Sequence, residues 1–196
     1  MRIIGVVGQN GSGKDEGLKY LRTRYNIPLL STGDAVREIA KKEGLESTRE
    51  NLKDISGKCF RDMGEGCFVK LIAEKIRSSG WQTAGISGIR SINDVRILRE
   101  ICGNDFVLVD VYVSDPHQRY SRMVNRGEGR DPKSYEQFTK QDKAEEELFH
   151  IQDAEEQANY HISNDGTLTD MHIAIDKLIS DEGLLGGSFR HPASGR

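Results

Sequence analysis

Seven residues near the amino terminus have the types and spacing of a phosphate-binding loop. Gly8-Gln9-Asn10-Gly11-Ser12-Gly13-Lys14 fits the pattern G-x-x-x-x-G-K and follows a short apolar run, residues 3–7. Glycines let backbone N–H groups turn toward a phosphate, the start of a helix adds partial positive charge, and Lys14 can reach the β- and γ-oxygens. The alternative is an ordinary glycine-rich turn with a solvated lysine. Because the pattern stands between an apolar strand and a helical segment, we predict that residues 8–14, the glycine loop, bind nucleotide phosphates.

The residue that follows the glycine loop departs from the usual pattern. Asp15 stands where a Ser or Thr hydroxyl normally ligates Mg²⁺. Asp15 either contacts the metal through water or is only a favourable acid in the first turn of a helix. Asp15 is therefore a candidate Mg²⁺ contact, with both alternatives open.

The elements that position this loop follow from five short apolar segments that alternate with helical patterns. The predicted strands are residues 3–7, 28–30, 83–87, 106–113 and 160–163. The first has no polar alternation, which is typical of a strand buried on both faces of a parallel sheet. Strands that alternate with helices predict an α/β fold with a parallel sheet and right-handed crossovers.

Capping residues predict where several of the helices begin. The expected caps are Asp34, Ser47 with Glu50 in a capping box, Ser114 or Asp115, and Thr167 with Asp170. The helix after Thr167 is expected to present Leu168, Ile173, Ile175 and Leu178 as its apolar residues.

The length of 196 residues indicates one domain, since domains average about 150 residues. We assign residues 1–182 to it, with a helical lobe at about 34–80 inserted between the second and third strands. Residues 127–158 alternate in charge and contain few apolar side chains, which predicts a mobile, solvated helical lid. Residues 183–196 are expected to be a disordered tail.

Three further segments carry a resemblance to a known family. Ser31-Thr32-Gly33-Asp34-Ala35-Val36-Arg37 follows the second strand, and Ser87-Gly88-Ile89-Arg90 follows the third. Arg119, Arg122, Arg126 and Arg130 recur every three or four residues, so they share one helical face and its extension. With the glycine loop, these segments resemble the P-loop nucleoside monophosphate kinases, and more closely a set of adenylate-kinase-related, dephospho-CoA-kinase-like proteins.

The resemblance implies a three-layer P-loop fold with strand order 2-3-1-4-5, helices on both faces and a helical lid. It implies that ATP and Mg²⁺ are used and that the lobe at 34–80 binds the acceptor. The implied acceptor-binding residues are Thr32, Asp34, Arg37, Gly88 and Arg90. A guanidinium such as that of Arg37 binds a phosphate at two points. The simpler alternative is that Asp34 only caps a helix and Arg37 is solvated.

The same resemblance implies roles for the glycine loop, the arginines and the last turn. Lys14, Arg122 and Arg126 are the implied catalytic residues, with the arginines neutralising the transferring phosphoryl group at the base of the lid. Asn164, in the turn Asn164-Asp165-Gly166, is an implied nucleotide contact. The acidic position that would orient Mg²⁺ in the family is Ser87 here, so both usual metal-organising residues are altered.

Composition excludes several partner classes. With 28 Lys and Arg against 31 Asp and Glu, the net charge is −3, which gives no general affinity for nucleic acid or for an anionic membrane. The longest uncharged apolar run covers only residues 3–7. The three cysteines, Cys59, Cys67 and Cys102, lack the spacing of a metal or redox site and indicate reduced thiols. We expect a cytoplasmic monomer or small homo-oligomer.

These observations predict an ATP-dependent kinase with a small-molecule, nucleotide-type acceptor. A nucleoside monophosphate is favoured by Ser31-Thr32-Gly33-Asp34, whereas dephospho-CoA is favoured by the turn at 164–166. A third possibility is a nucleotide-binding regulator or weak ATPase, in which Asp15 and Ser87 reflect lost transfer chemistry.

Overall fold

Five parallel strands form one sheet in the computed structural model, which describes residues 1–128 and 131–183. The strands are β1 (Arg2–Val7), β2 (Leu29–Ser31), β3 (Thr83–Ser87), β4 (Phe106–Tyr112) and β5 (Tyr160–Ser163). Their order is β2-β3-β1-β4-β5, so β1 lies in the middle, with Gly5 paired to Ile86 on one side and Leu108 on the other. The predicted parallel α/β fold and strand order are confirmed.

Helices connect the strands. In the described part of the chain they are α1 (Lys14–Tyr25), α2 (Thr32–Lys42), α3 (Arg49–Met63), α4 (Cys67–Ser79), α5 (Ile92–Cys102), α6 (Pro116–Arg126), α7 (Tyr135–Phe149), α8 (Ile151–Glu155) and α9 (Leu168–Asp181). Helix α5 was not predicted from the sequence, although it begins with a capping box between Ser91 and Asp94.

The two faces of the sheet bury separate apolar clusters, which gives three layers. On one face, Ile3 and Val7 of β1 pack among side chains of α4, α5 and α8. On the other, Ile4 and Val6 pack among side chains of α1 and α9. Adjacent side chains of a strand point to opposite faces, so the continuous apolar run of β1 supplies both clusters.

The segment between β2 and β3 has a small core of its own. Val36 and Ala40 of α2 pack against Ile55 and Cys59 of α3 and Phe68 of α4. This is the segment predicted as the acceptor lobe at about 34–80. The bounds of the lobe, lid and domain stay predictions.

Two predicted helix caps are wrong by a few residues. The cap of α2 is Ser31, whose hydroxyl accepts from the backbone N–H of Asp34, so Asp34 lies inside the helix. The cap of α3 is Thr48, which accepts from the N–H of Asn51, whereas Ser47 precedes it. In both cases a hydroxyl one to three positions away from the expected residue satisfies the first free N–H groups.

Only two of the four apolar residues named for the last helix, α9, are buried. Leu168 and Ile173 are exposed, whereas Met171, Ile175, Leu178 and Ile179 enter the core. The buried set follows the three- and four-residue spacing of a helix, and Ile173 lies on the opposite side.

The predicted lid contains α7 and α8 and is helical, but it is not solvated throughout. Phe138 of α7 is buried, and Ile151 and Ala154 of α8 join the cluster under β1. Gly129 and Arg130 of the predicted lid and residues 184–196 of the predicted tail lie outside the described residues. All three cysteines are free, and no helix within 1–128 or 131–183 has the length and apolar character needed to cross a membrane.

Candidate nucleotide and acceptor site

The glycine loop leaves the carboxyl end of β1 and passes directly into α1. Gly13 caps the helix in a left-handed conformation with φ 93°, and Gly11 has φ 80°. Glycine adopts positive φ without the steric cost that a Cβ brings. The loop therefore presents its backbone at the amino end of α1, where partial positive charge favours an anion.

Asn164 holds the glycine loop from the far end of the chain. It is buried, and its side-chain N–H donates to the carbonyl of Ser12 at 2.8 Å. Arg122 in turn donates to the carbonyl of Asn164 at 2.6 Å. A Cβ on Gly13 would collide with the Asn164 amide, so glycine is needed there for close approach as well as for conformation. Two predicted site residues thus support the loop.

Lys14 lies among other charged groups of the site. Its ammonium donates to the carbonyl of Gln9 at 3.3 Å. Burial lowers the pKa of Lys14, the carboxylates of Asp15 and Glu145 oppose that shift, and Arg90 and Arg126 add to it. A phosphate bound here would raise the pKa of Lys14 again, because its negative charge stabilises the ammonium that burial has removed from water.

The two unusual metal positions face the same space. Asp15 in the first turn of α1 and Ser87 at the end of β3 both line one cavity. Among the described residues, no cluster of three or more His, Cys, Asp or Glu side chains could hold a metal ion. Mg²⁺ is usually held by one or two carboxylates together with substrate phosphates, so Asp15 fits a metal that arrives with ATP.

The two predicted acceptor segments, residues 31–37 and 87–90, contact each other and line the same cavity as the glycine loop. The Thr32 hydroxyl donates to the carbonyl of Gly88 at 3.1 Å, which ties the start of α2 to the loop after β3. Gly88 has φ 82°, and a Cβ on it would collide with Thr32. Arg37 pairs with Asp34 at 2.5 Å, and both side chains are at least half exposed.

One cavity of about 840 Å³ joins these parts. Of the predicted site residues, it is lined by Gly8, Asn10, Gly11, Gly13, Lys14, Asp15, Thr32, Arg37, Gly88, Arg90, Arg122, Arg126 and Asn164. Ser12 and Asp34 do not line it: the side chain of Ser12 is fully buried, and Asp34 pairs with Arg37. The functional roles of all these residues stay predictions.

The described arginines of α6 do not all line the cavity. Arg119 is buried and makes a bidentate contact to Asp142 of α7, with both distances 2.7 Å, and also donates to the carbonyl of Asn10. Arg122 and Arg126 line the cavity, and Arg126 also pairs with Asp131 at 2.5 Å. Hydrogen bonding to Asp131 raises the pKa of Arg126. Arg119 has the helical spacing predicted for the arginines, but it is buried against Asp142 and does not line the cavity with Arg122 and Arg126.

Two acidic groups, one in the site and one buried in β4, were not predicted from the sequence. Glu145 lines the cavity and contacts both Asn10 and Arg90. Asp110 of β4 is buried, and one of its carboxylate oxygens lies 3.1 Å from Nδ1 of His161 on β5. Glu145 stands in a run of three glutamates with no distinguishing signal. Asp110 gave a signal, since it is the one charged residue inside the strongest apolar run.

Known proteins share both the sequence and the fold. A family model described as an AAA domain matches residues 7–139. A UPF0200 protein of Pyrococcus abyssi is 39% identical over 145 residues, which cover 73% of this chain and 77% of that relative.

Two solved kinases show the fold. A gluconokinase from Sinorhizobium meliloti 1021 superposes with a TM-score of 0.56 at 14% identity, covering 95% of this chain and 98% of its own. A shikimate kinase from Bacteroides thetaiotaomicron gives a TM-score of 0.56 at 14% identity, covering 91% of this chain and 97% of its own. The resemblance to P-loop kinases is thus confirmed for the fold, and the chain belongs to the UPF0200 family and carries an AAA domain.

Proposed function

We propose that this protein is an ATP-dependent kinase that transfers the γ-phosphoryl group to a nucleotide-type acceptor. The observation that carries the proposal is the cavity of about 840 Å³, which is lined by residues of the glycine loop, by residues of both predicted acceptor segments and by two arginines of α6. A donor and an acceptor bound there would meet without a large rearrangement, and such positioning supplies much of the rate of phosphoryl transfer.

On this proposal, ATP phosphates bind the backbone of the glycine loop and Lys14. Asn164 supports the loop and, with Gly166 and Leu168, forms the wall next to it, where the nucleoside of ATP would bind. Asp15 would hold Mg²⁺ through water, and the metal would supply positive charge that neutralises the phosphates. Ser87, also in the wall, is close enough to the same space to share that role.

The acceptor binds between α2 and the loop after β3. Arg37 and Arg90 line the cavity from these two segments, and a pair of guanidiniums suits an acceptor that itself carries a phosphate. Thr32 fixes the distance between the segments through its bond to Gly88. The two solved kinases that share the fold support a small-molecule acceptor.

Transfer itself asks for charge stabilisation more than for covalent chemistry. Arg122 and Arg126 stand at the carboxyl-terminal end of α6, next to the glycine loop, and their charges would neutralise the moving phosphoryl group. Arg126 is held by Asp131, which orients its guanidinium before any ligand binds.

The proposal is tested by incubating the protein with labelled ATP and a panel of nucleoside monophosphates, deoxynucleotides and dephospho-CoA. Transfer to at least one acceptor is expected. Lys14→Ala should lower the rate at least about 100-fold, the usual loss for one charge-stabilising donor. Lys19→Ala, an exposed lysine on α1, is the matched control and should retain the wild-type rate. No transfer to any acceptor would refute the proposal.

Asp15 and Ser87 favour a second candidate, a nucleotide-binding regulator or weak ATPase. Thermal stabilisation by ATP that no acceptor changes, together with slow hydrolysis, would favour it. Transfer to dephospho-CoA alone would instead identify the acceptor as that compound. We further propose that the protein acts in the cytoplasm as a monomer or small homo-oligomer, which light scattering of the purified chain tests.

A further inference from the structure

Glu145 of α7 lies where the lid helix meets both halves of the cavity. One of its carboxylate oxygens accepts from the side-chain amide of Asn10 in the glycine loop. The other lies 3.5 Å from the guanidinium of Arg90 in the acceptor segment. The side chain is only 18% exposed, and it is one of two carboxylates whose charge raises the pKa of Lys14. The Glu145 carboxylate is therefore surrounded by polar and positively charged groups that could also bind a phosphate.

The same residue lines two cavities. A second cavity of about 470 Å³ lies beneath α7, beside the larger one of about 840 Å³. Both are lined by Asn10, Arg90, Met123, Arg126 and Glu145. Only the second cavity is lined by Leu148 and Phe149, and the guanidinium carbon of Arg90 lies 5.2 Å from the centre of the Phe149 ring.

A neighbouring acid of α7 forms a shorter and more buried ion pair than Glu145 does. Asp142, one helical turn earlier, has its two oxygens on Arg119 at 2.7 Å each, and Arg119 is buried. The Glu145 link differs because Arg90 is about half exposed and the ion pair is long. Exposed ion pairs contribute little, so this link can be exchanged for a better anion.

We propose that Glu145 is a displaceable partition between the two cavities. Its carboxylate binds Asn10 and Arg90 until an incoming phosphoryl group binds both donors instead. The Glu145 side chain then moves away, and the two cavities become one. The inference rests on the proposed phosphate binding. A phosphoryl group carries more charge and more acceptor oxygens than a carboxylate, so it competes successfully for the same donors. A ligand without such a group leaves the partition in place, which makes Glu145 a determinant of ligand specificity.

Glu145→Gln tests the partition, because glutamine has the same shape and still accepts from Asn10 but has no charge. The affinity for the non-hydrolysable ATP analogue AMP-PNP is measured by calorimetry on the full chain. We expect Glu145→Gln to bind about tenfold more tightly than wild type, equal to about 1.4 kcal/mol. Glu147→Gln, an exposed acid on the same helix, is the matched control and should bind within about twofold of wild type.

A second variant and a second measurement cover the event that Glu145→Gln does not fold. Glu145→Asp keeps the charge but is too short to span both donors, so its affinity should lie between those of wild type and Glu145→Gln. Hydrogen exchange of the amides of α7 should be faster in both variants than in wild type, without any ligand, because Glu145→Gln loses the ion pair to Arg90 and Glu145→Asp cannot reach both donors.

The outcomes separate this inference from the proposed function. Binding to wild type with unchanged affinity in both Glu145 variants overturns the partition and leaves the kinase proposal standing. Equal tightening by Glu145→Gln and Glu147→Gln also overturns it, since the effect would then be general charge. No binding of AMP-PNP to wild type overturns both.

Discussion

Replacing Arg119 by methionine should unfold the protein more readily than any change at the surrounding surface. Arg119 makes charged hydrogen bonds to both oxygens of Asp142 and a third to Asn10. Its removal leaves the Asp142 carboxylate, which is 23% exposed, without its partner. Breaking a buried ion pair in this way costs about 3–5 kcal/mol. Because Asp142 keeps some contact with water, we expect the lower end, about 3 kcal/mol.

The assay is urea unfolding followed by far-UV circular dichroism, with a thermal scan alongside. For a domain of this size, 1 kcal/mol corresponds to about 2–4 °C, so the midpoint should fall by about 6–12 °C. The double variant Arg119→Met with Asp142→Leu removes the unpaired charge as well and should recover much of the loss. The control is Lys140→Met, whose pair with Glu136 is exposed on both sides and should count for less than about 0.5 kcal/mol. A loss below about 1 kcal/mol for Arg119→Met, or a double variant no more stable than the single one, would refute the reasoning.

Two further predictions concern the buried side of α9 and the carboxyl group of Glu155. Ile175→Ala should lower the free energy of unfolding by about 2–4 kcal/mol, because Ile175 is buried in the core. Ile173→Ala, on the exposed side of the same helix, should change it by less than about 0.5 kcal/mol. Equal urea midpoints for the two variants would contradict the burial described for α9. Burial, with Asp110 and Glu146 nearby, raises the pKa of Glu155 from 4.5 to about 7. Between these values the folded protein keeps a proton that the unfolded chain has lost, so the free energy of unfolding should fall as pH rises through this window. Urea midpoints should show that fall in wild type and a smaller one in Glu155→Gln; identical slopes would contradict it.

The sheet could be predicted from the sequence because its signal is local. β1 and β4 are apolar runs buried on both faces, and β3 was found despite Gly85 because the residues around it are apolar. α5 was missed although Ser91 and Asp94 have capping-box spacing, since the segment follows the loop with Arg90 and its charged residues hide its apolar face. Local signals fix strands well and short amphipathic helices less well.

In the candidate site, too, the features set by neighbouring residues could be predicted from the sequence, and those set by contacts between helices could not. The glycine loop carries its geometry in consecutive residues, so it was predicted whole. Arg119 and Arg122 are three residues apart and alike in sequence, yet one is buried and the other lines the cavity. The difference comes from Asp142, which α7 brings to Arg119 from 23 residues away. Pairings between helices of this kind have no spacing that a single sequence could reveal.

The hydrogen bond from Asn164 to Ser12 joins residues 152 positions apart and sets the order in which the working parts can form. β1 also pairs only with strands that come later in the chain. During synthesis the ribosome releases the glycine loop first, but the loop gains its support only after β5 has emerged. A nascent chain that ends before Asn164 therefore carries the whole phosphate-binding motif without the contact that shapes it, and ability to hold a nucleotide should arrive late and abruptly.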